Sequence, residues 1–116
     1  MPDQYLRGIE LFNAGRFFES HEALEEVWLK SEGAERELLH ALIQSAAALH
    51  HFQRGNLKGA SSVYHRARSK FETLPRTVLR LDTQNFAEQL GRFFDAVLNQ
   101  QTAIPSFPTI QLQDGR

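Results

Sequence analysis

The sequence FNAGRFFESHEALEEVW, residues 12–28, holds a glycine turn followed by the start of an amphipathic helix. A helix advances about 100° per residue, so its apolar residues after the turn share one arc. These residues are Phe17, Leu24, Val27 and Trp28. Glutamates lie roughly opposite and form a solvated face. We expect the rest of the chain to pack around this stretch.

Two polar residues, His21 and Glu25, lie beside the apolar arc instead of on the solvated face. Their spacing of four residues brings the two side chains within reach of each other on a helix. A carboxylate at an apolar surface is costly unless it is paired, and the imidazole of His21 is the nearest partner. A metal ion would serve equally well, because imidazole nitrogen and carboxylate oxygen are both common ligands. The pair therefore either stabilises the packing of this helix against its neighbours or forms a binding site.

Helical spacing predicts four more helices around this one. The first begins at Pro2 or Asp3 and ends at Gly15, and three later helices cover about residues 34–54, 57–73 and 83–98. The helix over 34–54 is apolar round most of its circumference, which is typical of a central helix. Residues 79–81 are predicted to form a connector or a short helical turn, and we predict no strand.

A repeat 40 residues apart supports this arrangement. The pattern Phe12-x-x-Gly15-x-Phe17-x-x-Ser20 returns as Phe52-x-x-Gly55-x-Leu57-x-x-Ala60. Each copy predicts a helix, a glycine turn and a second helix, as in the hairpins of tetratricopeptide-type repeats. The predicted fold is all-α: a compact antiparallel bundle of about five helices, built from two helical hairpins plus a closing helix. Residues 1–100 form this single domain, and residues 101–116 form an extended, proline-containing tail.

Composition narrows the class of protein. The 116 residues suit one domain, and 41% hydrophobic with 23% charged residues is a globular balance. A net charge of −1 argues against a nucleic-acid surface. The lack of cysteine excludes disulfides and thiolate metal sites. No apolar run is long enough for a signal peptide or a membrane span, so we expect a cytoplasmic protein and no membrane partner.

The third helix carries one polar line that bears on the His–Glu pair. It consists of Glu37, His40, Gln44 and His51. We interpret Glu37 and His40 as solvated. Gln44 and His51 could turn toward His21 and Glu25 across a helix–helix seam, with His51 as a third metal ligand. His50 lies about 100° from His51, so it is interpreted as a packed or half-exposed histidine.

The motif His21-x-x-x-Glu25-x-x-Trp28 resembles that of a bacterial and archaeal family catalogued as domain of unknown function 309. The flanking Phe12-x-x-Gly15-x-Phe17-x-Glu19, Ala41-Leu42-Ile43-Gln44-x-Ala46-Ala47-Ala48 and Arg54-Gly55-Asn56-x-x-Gly59-Ala60 also fit. The resemblance covers about residues 5–74. It implies an all-α bundle related to helical-hairpin repeats. Metal binding has been suggested for the family motif, which here falls on His21, Glu25 and Trp28. The resemblance implies no established reaction.

Two functional hypotheses follow. In the first, His21, Glu25 and His51 bind a divalent metal ion, zinc or another, supported by Gln44 and Trp28. In the second, the chain is a non-enzymatic protein-interaction module of helical-hairpin type that binds a protein or peptide, the pair is structural, and Phe18 contacts the partner. Nucleic-acid binding through the basic fourth helix is the weakest alternative. A homodimer is compatible with a small apolar bundle, and no pattern specifies a reaction.

Overall fold

The computed structural model describes residues 3–114 and confirms an all-α bundle. Five helices follow in order: α1 Asp3–Asn13, α2 Phe17–Trp28, α3 Gly33–Gln53, α4 Leu57–Phe71 and α5 Thr83–Leu98. A small antiparallel hairpin of β1 (Thr77–Val78) and β2 (Leu81–Asp82) lies between α4 and α5. Within this part of the chain, no helix has both the length and the apolar character needed to cross a bilayer.

The two glycine turns of the repeat have the same geometry. Gly15 and Gly55 both adopt φ +77°, the left-handed conformation that glycine accepts without a steric penalty. After α1, the N–H of Arg16 donates to Leu11 O at 2.9 Å, and after α3, the N–H of Asn56 donates to His51 O at 2.9 Å. Both are Schellman-type ends that turn the chain back on itself. The predicted repeat is therefore present as two helical hairpins, α1–α2 and α3–α4.

The third helix is central, as its composition predicts. It packs against both α2 and α4, and Leu38, Leu39, Leu42 and Leu49 along it are fully buried. The residues at the two helix crossings of the repeat, Ser20 and Ala60, are also fully buried. Small side chains at these positions let the paired helices approach closely.

The closest approach joins α1 to α2 at Gly8. Ser20 Oγ donates a hydrogen bond to Gly8 O at 2.8 Å, and Leu24 packs over the bare Cα of Gly8. The hydroxyl of Ser20 is buried and would be costly without this acceptor. The start of α2 is therefore fixed by contact with α1, and the side chains that face away from this contact are positioned with it.

The prediction that the chain has no strand is wrong, because a short helical turn does not form at residues 79–81: Leu79 and Arg80 connect β1 to β2, and Leu81 lies in β2. Leu79 and Arg80 occupy the two central positions with φ of +47° and +62°. Two-residue hairpin turns of this kind favour asparagine or glycine, and this sequence has neither there. The usual sequence signal for a hairpin is therefore absent.

Tertiary contacts stabilise this hairpin, because its turn sequence does not. Tyr5 of α1 donates its hydroxyl to Leu79 O at 3.1 Å. Arg76 Nε and Asp82 Oδ1, at the two ends of the hairpin, lie 2.9 Å apart. Val78 and Leu81 are buried in the core. The strain of the turn is thus offset by contacts with residues that are distant in sequence.

Candidate functional site

His21 and Glu25 lie one turn apart on the outer face of α2. His21 Nε2 and Glu25 Oε2 are 3.8 Å apart. The side chains are 31% and 51% exposed, so the pair lies at the edge of the apolar arc and not inside it. Among the described residues, no lysine or arginine forms an ion pair with Glu25. Both groups are therefore open to a ligand from solvent.

Aromatic rings flank the pair on α2. The ring of Phe18 is stacked on His21, with 6.4 Å between centroids and 13° between planes. Phe18 is itself 52% exposed. On the next turns, Trp28 is half-buried and packs against His40 at 5.4 Å, and the guanidinium of Arg36 lies 4.2 Å from the centre of its ring. The motif tryptophan therefore packs against α3 instead of facing His21.

Contacts between rings fix the antiparallel register of α2 on α3. Phe18 contacts His50 at 5.3 Å near one end, and Trp28 contacts His40 near the other. Gln44 therefore lies alongside the middle of α2, where His21 and Glu25 are. We call this surface the α2–α3 seam. It comprises Phe18, His21, Glu25 and Trp28 from α2, and His40, Gln44 and His50 from α3.

Two polar atoms of the seam are buried without a hydrogen-bond partner within residues 3–114. They are Nδ1 of His21 and Oε1 of Gln44. A buried polar atom that lacks a partner costs free energy, so such atoms are rare in folded proteins. One of them can donate and the other can only accept, so the two atoms are chemically complementary.

The sequence analysis offered His51 as a third ligand, and the structure does not bring it to the pair. His51 Nδ1 lies 3.2 Å from Asn56 Nδ2, at the turn into α4. Asn56 in turn caps α4 by accepting from Gly59 N at 2.9 Å. Within the described part of the chain, no three histidine, cysteine, aspartate or glutamate side chains are grouped so that they could hold a metal ion. A three-ligand site that includes His51 stays a prediction.

His50, at the same end of α3 as His51, interacts electrostatically with His21. Its pKa lies below the ordinary value, first because burial disfavours the charged ring and then because Arg54, His51 and His21 repel a proton. Burial also lowers the pKa of His40 at the other end of the seam, as does Lys70. Both shifts favour the neutral imidazole, which is the form that binds metals.

The sequence analysis did not place His50 in the seam, and it did not place Arg36 on the ring of Trp28. A helical wheel places residues around one helix, but it does not say which face of α3 meets α2. On α2, Phe18, His21, Glu25 and Trp28 are spaced by three, four and three, and the α3 residues with matching helical spacing are His40, Gln44 and His51. The spacing alone therefore favoured His51 over His50.

Comparison with known proteins supports the family assignment. A family model described as a domain of unknown function, DUF309, matches residues 5–63, which is just over half of the chain. An uncharacterized protein from Aquifex aeolicus (strain VF5) is 39% identical over 57 residues. That match covers 48% of this chain and only 17% of the Aquifex protein.

A solved structure extends the likeness to most of the bundle. The crystal structure of a conserved hypothetical protein from Thermus thermophilus superimposes with a TM-score of 0.70 at 36% sequence identity. The match covers 82% of this chain and 98% of the Thermus chain. The resemblance drawn from the sequence is confirmed, and the chain belongs to the DUF309 family of unknown function.

Proposed function

We propose that His21 and Glu25 bind a divalent metal ion at the α2–α3 seam. The observation that carries this proposal is the 3.8 Å separation of His21 Nε2 and Glu25 Oε2, with both side chains accessible to solvent. Metal–ligand bonds of about 2.0–2.2 Å place two tetrahedral ligands roughly 3.4 Å apart. A movement of a few tenths of an ångström would bring the two atoms to that separation. Imidazole with carboxylate suits zinc and other first-row ions.

Gln44 supports the same role as an outer partner. A histidine that ligates a metal through one ring nitrogen usually donates its other ring N–H to an acceptor, which fixes the ring. His21 directs Nε2 toward Glu25, and its Nδ1 is buried and unpaired within residues 3–114. The facing helix offers Gln44 Oε1, an acceptor in the same state. A hydrogen bond between the two atoms would satisfy both of them.

The coordination sphere would be open. Two protein ligands leave at least two positions of a tetrahedral ion, and a catalytic zinc site usually has three protein ligands plus water. His51 would have to give up its contact with Asn56 to contribute. We therefore expect water, a small molecule or a group from another chain, including a second copy of this one, to complete the sphere.

Metal titration of single variants tests the proposal. Untagged wild-type protein is analysed for metal content and titrated with zinc, manganese and nickel chloride by calorimetry. His21→Ala and Glu25→Gln should each abolish the binding heat. His65→Ala, which removes an exposed histidine of α4, is the matched control and should bind as the wild type does. Wild-type binding by the His21→Ala variant would refute the site.

One further variant tests His51 as the third ligand. If His51 completes the sphere, His51→Ala should lose binding as completely as His21→Ala. The structure leads us to expect that His51→Ala retains binding, because that ring faces the turn at Asn56. Loss of binding in this variant, with α4 still folded, would restore the three-ligand site predicted from the sequence.

The second candidate function is a protein-interaction module, and the observation that favours it is Phe18. This ring is 52% exposed although it packs on the rings of His21 and His50. Exposed aromatic side chains held by their neighbours are frequent anchors of protein interfaces.

Two substitutions at exposed apolar positions test this candidate. Phe18→Ser should abolish capture of a partner by the immobilised protein. Leu29→Ser removes a 65% exposed side chain directly after α2, away from the Phe18 end of the seam, and should not affect capture. Equal capture by the wild type and both variants would exclude the seam as the interface.

A further inference from the structure

The end of the tail is held against the bundle by main-chain contacts. Asn13, the last residue of α1, donates through Nδ2 to Ile110 O at 2.8 Å. The N–H of Ile110 donates back to Asn13 Oδ1 at 2.7 Å. One amide side chain thus satisfies both backbone groups of one tail residue, as a neighbouring strand would.

Gln89 and Arg80 grip the tail as Asn13 does: each forms hydrogen bonds to both the N–H and the C=O of one tail residue. Gln89 of α5 donates to Thr109 O and accepts from Thr109 N, each at 3.3 Å. Arg80 accepts at its backbone O from Gln113 N at 2.7 Å and donates through Nε to Gln113 O at 2.8 Å. The tail is thus bound through main-chain groups that every non-proline residue carries. We call the surface formed by Asn13, Gln89 and Arg80 the tail seat.

Apolar side chains of the tail also pack into the bundle, and we call the positions that receive them sockets. Ile110 is 2% exposed and joins the core, and Leu112 packs partly buried against it. Phe107 contacts the ring of Phe17 edge-on at 5.2 Å between centroids. The apolar residues therefore lie at the first, fourth and sixth positions of the seated segment. Main-chain pairing that supplies affinity and sockets that supply selectivity are the features of extended-peptide recognition.

The connection and the charge of the segment also suit a separable ligand. Residues 99–106, between α5 and the seat, are all exposed. Residues 99–113 contain no charged side chain, and two of the three gripping residues, Asn13 and Gln89, are neutral amides. An uncharged segment therefore meets two neutral amides and one arginine, which donates to the backbone carbonyl of Gln113.

We infer that the tail seat is a peptide-binding groove for an extended, uncharged segment of another protein, with apolar residues at the spacing of Phe107, Ile110 and Leu112. The chain's own tail occupies the groove in cis, where its high effective concentration favours it over a partner. A partner segment binds by displacing the tail. This role uses none of the residues of the α2–α3 seam, because the tail contacts α2 at Phe17 and α3 at Phe52 instead.

The experiment separates the tail from the bundle only after the full chain has folded. A site-specific protease sequence is inserted in the segment between residues 101 and 106, and the folded chain is then cleaved. Gel filtration shows whether the tail stays bound, and circular dichroism shows whether the helices persist. A fluorescent synthetic peptide of residues 103–113 is then added. We expect the helical signal to persist and the labelled peptide to replace the cleaved tail, measured by fluorescence anisotropy.

Changes in the peptide test the sockets without altering the protein. Replacing the isoleucine that corresponds to Ile110 by serine should weaken binding at least about tenfold, since a buried apolar side chain is lost. Replacing the glutamine that corresponds to the exposed Gln111 by serine is the control and should bind as the parent peptide does. On the protein, Asn13→Ala should weaken binding about tenfold, because two hydrogen bonds are removed. Gln84→Ala, an exposed amide on α5, should have no effect.

Four results would overturn the inference. Loss of helical structure on cleavage would make the tail an inseparable part of the core. A folded, cleaved protein that never takes up the peptide would exclude a groove. Equal affinity for the two serine peptides would remove the role of the sockets. A tail-exchanged dimer of the intact chain that excess peptide cannot dissociate would assign the seat to a second copy instead of another protein.

Discussion

Replacing Gly8 with alanine tests the α1–α2 crossing that positions the His21–Glu25 pair. A Cβ at Gly8 would lie 2.6 Å from Leu24 Cδ2 and 2.7 Å from Leu24 Cγ. Leu24 is fully buried, so it cannot move into solvent to relieve the clash. Overpacking of a core costs about 1–3 kcal/mol. The preference of a helix for alanine over glycine returns about 0.5–1 kcal/mol. The free energy of unfolding should therefore fall by roughly 1 kcal/mol, the difference between the midpoints of these two ranges.

The same substitution at Gly91, within α5, is the matched control. A Cβ there would have Tyr64 Oη as its nearest neighbour at 3.6 Å, an ordinary van der Waals contact. The steric cost is absent, and only the helix preference remains. Gly91→Ala should raise the free energy of unfolding by about 0.5–1 kcal/mol. The same substitution should thus lower the free energy of unfolding at Gly8 and raise it at Gly91.

Urea unfolding followed by far-ultraviolet circular dichroism measures both values. The slope against urea should not change, because the surface exposed on unfolding stays nearly the same. Adding Leu24→Ala to the Gly8→Ala variant makes room for the new methyl group, so the two changes should couple favourably by at least about 0.5 kcal/mol. A Gly8→Ala variant as stable as the wild type, or perfect additivity with Leu24→Ala, would refute the argument from close packing.

Three further predictions rest on single contacts. Gln100 follows the end of α5 with φ +55°, so Gln100→Gly should raise the free energy of unfolding by about 0.5–1 kcal/mol, measured as a higher melting temperature. Asn56→Ala removes the hydrogen bond to Gly59 N that caps α4 and should cost about 1 kcal/mol in urea unfolding. Burial, and then Lys70, lower the pKa of His40 below 6.5, so the unfolded chain binds this proton more readily. Stability should therefore fall as the pH drops below about 6.5, and His40→Gln should flatten that fall in urea titrations at successive pH values.

The helices were predictable because their signals are local. Gly15 and Gly55 mark the ends of α1 and α3, and Asn56 caps α4. The hairpin at Leu79 and Arg80 was not predictable in this way. Its turn is held by contacts such as that of Tyr5 with Leu79 O, between residues 74 positions apart in the chain. Local preference and tertiary contact disagree at this turn, and the contact determines the structure.

The same difference between local signals and tertiary contacts applies to the candidate site. His21 and Glu25 share one helix, so their spacing alone brought them together. The neighbours on α3 depend on how one helix slides and rotates against another. A rotation of about 100° exchanges His50 for His51, and a helical wheel of α3 cannot decide between them. The rings of Phe18 and Trp28 decide it in the folded chain, because they pack on His50 and His40.

The repeat provides an internal control for the role of the His–Glu pair. Forty residues after His21 and Glu25, the second hairpin has Ser61 and His65. That hairpin nevertheless forms the same glycine turn, at Gly55, and the same kind of buried crossing. A hairpin of this architecture therefore does not require a His–Glu pair on its second helix. The structural positions of the repeat are shared and the pair is not, which favours a role for His21 and Glu25 in binding over a role in folding.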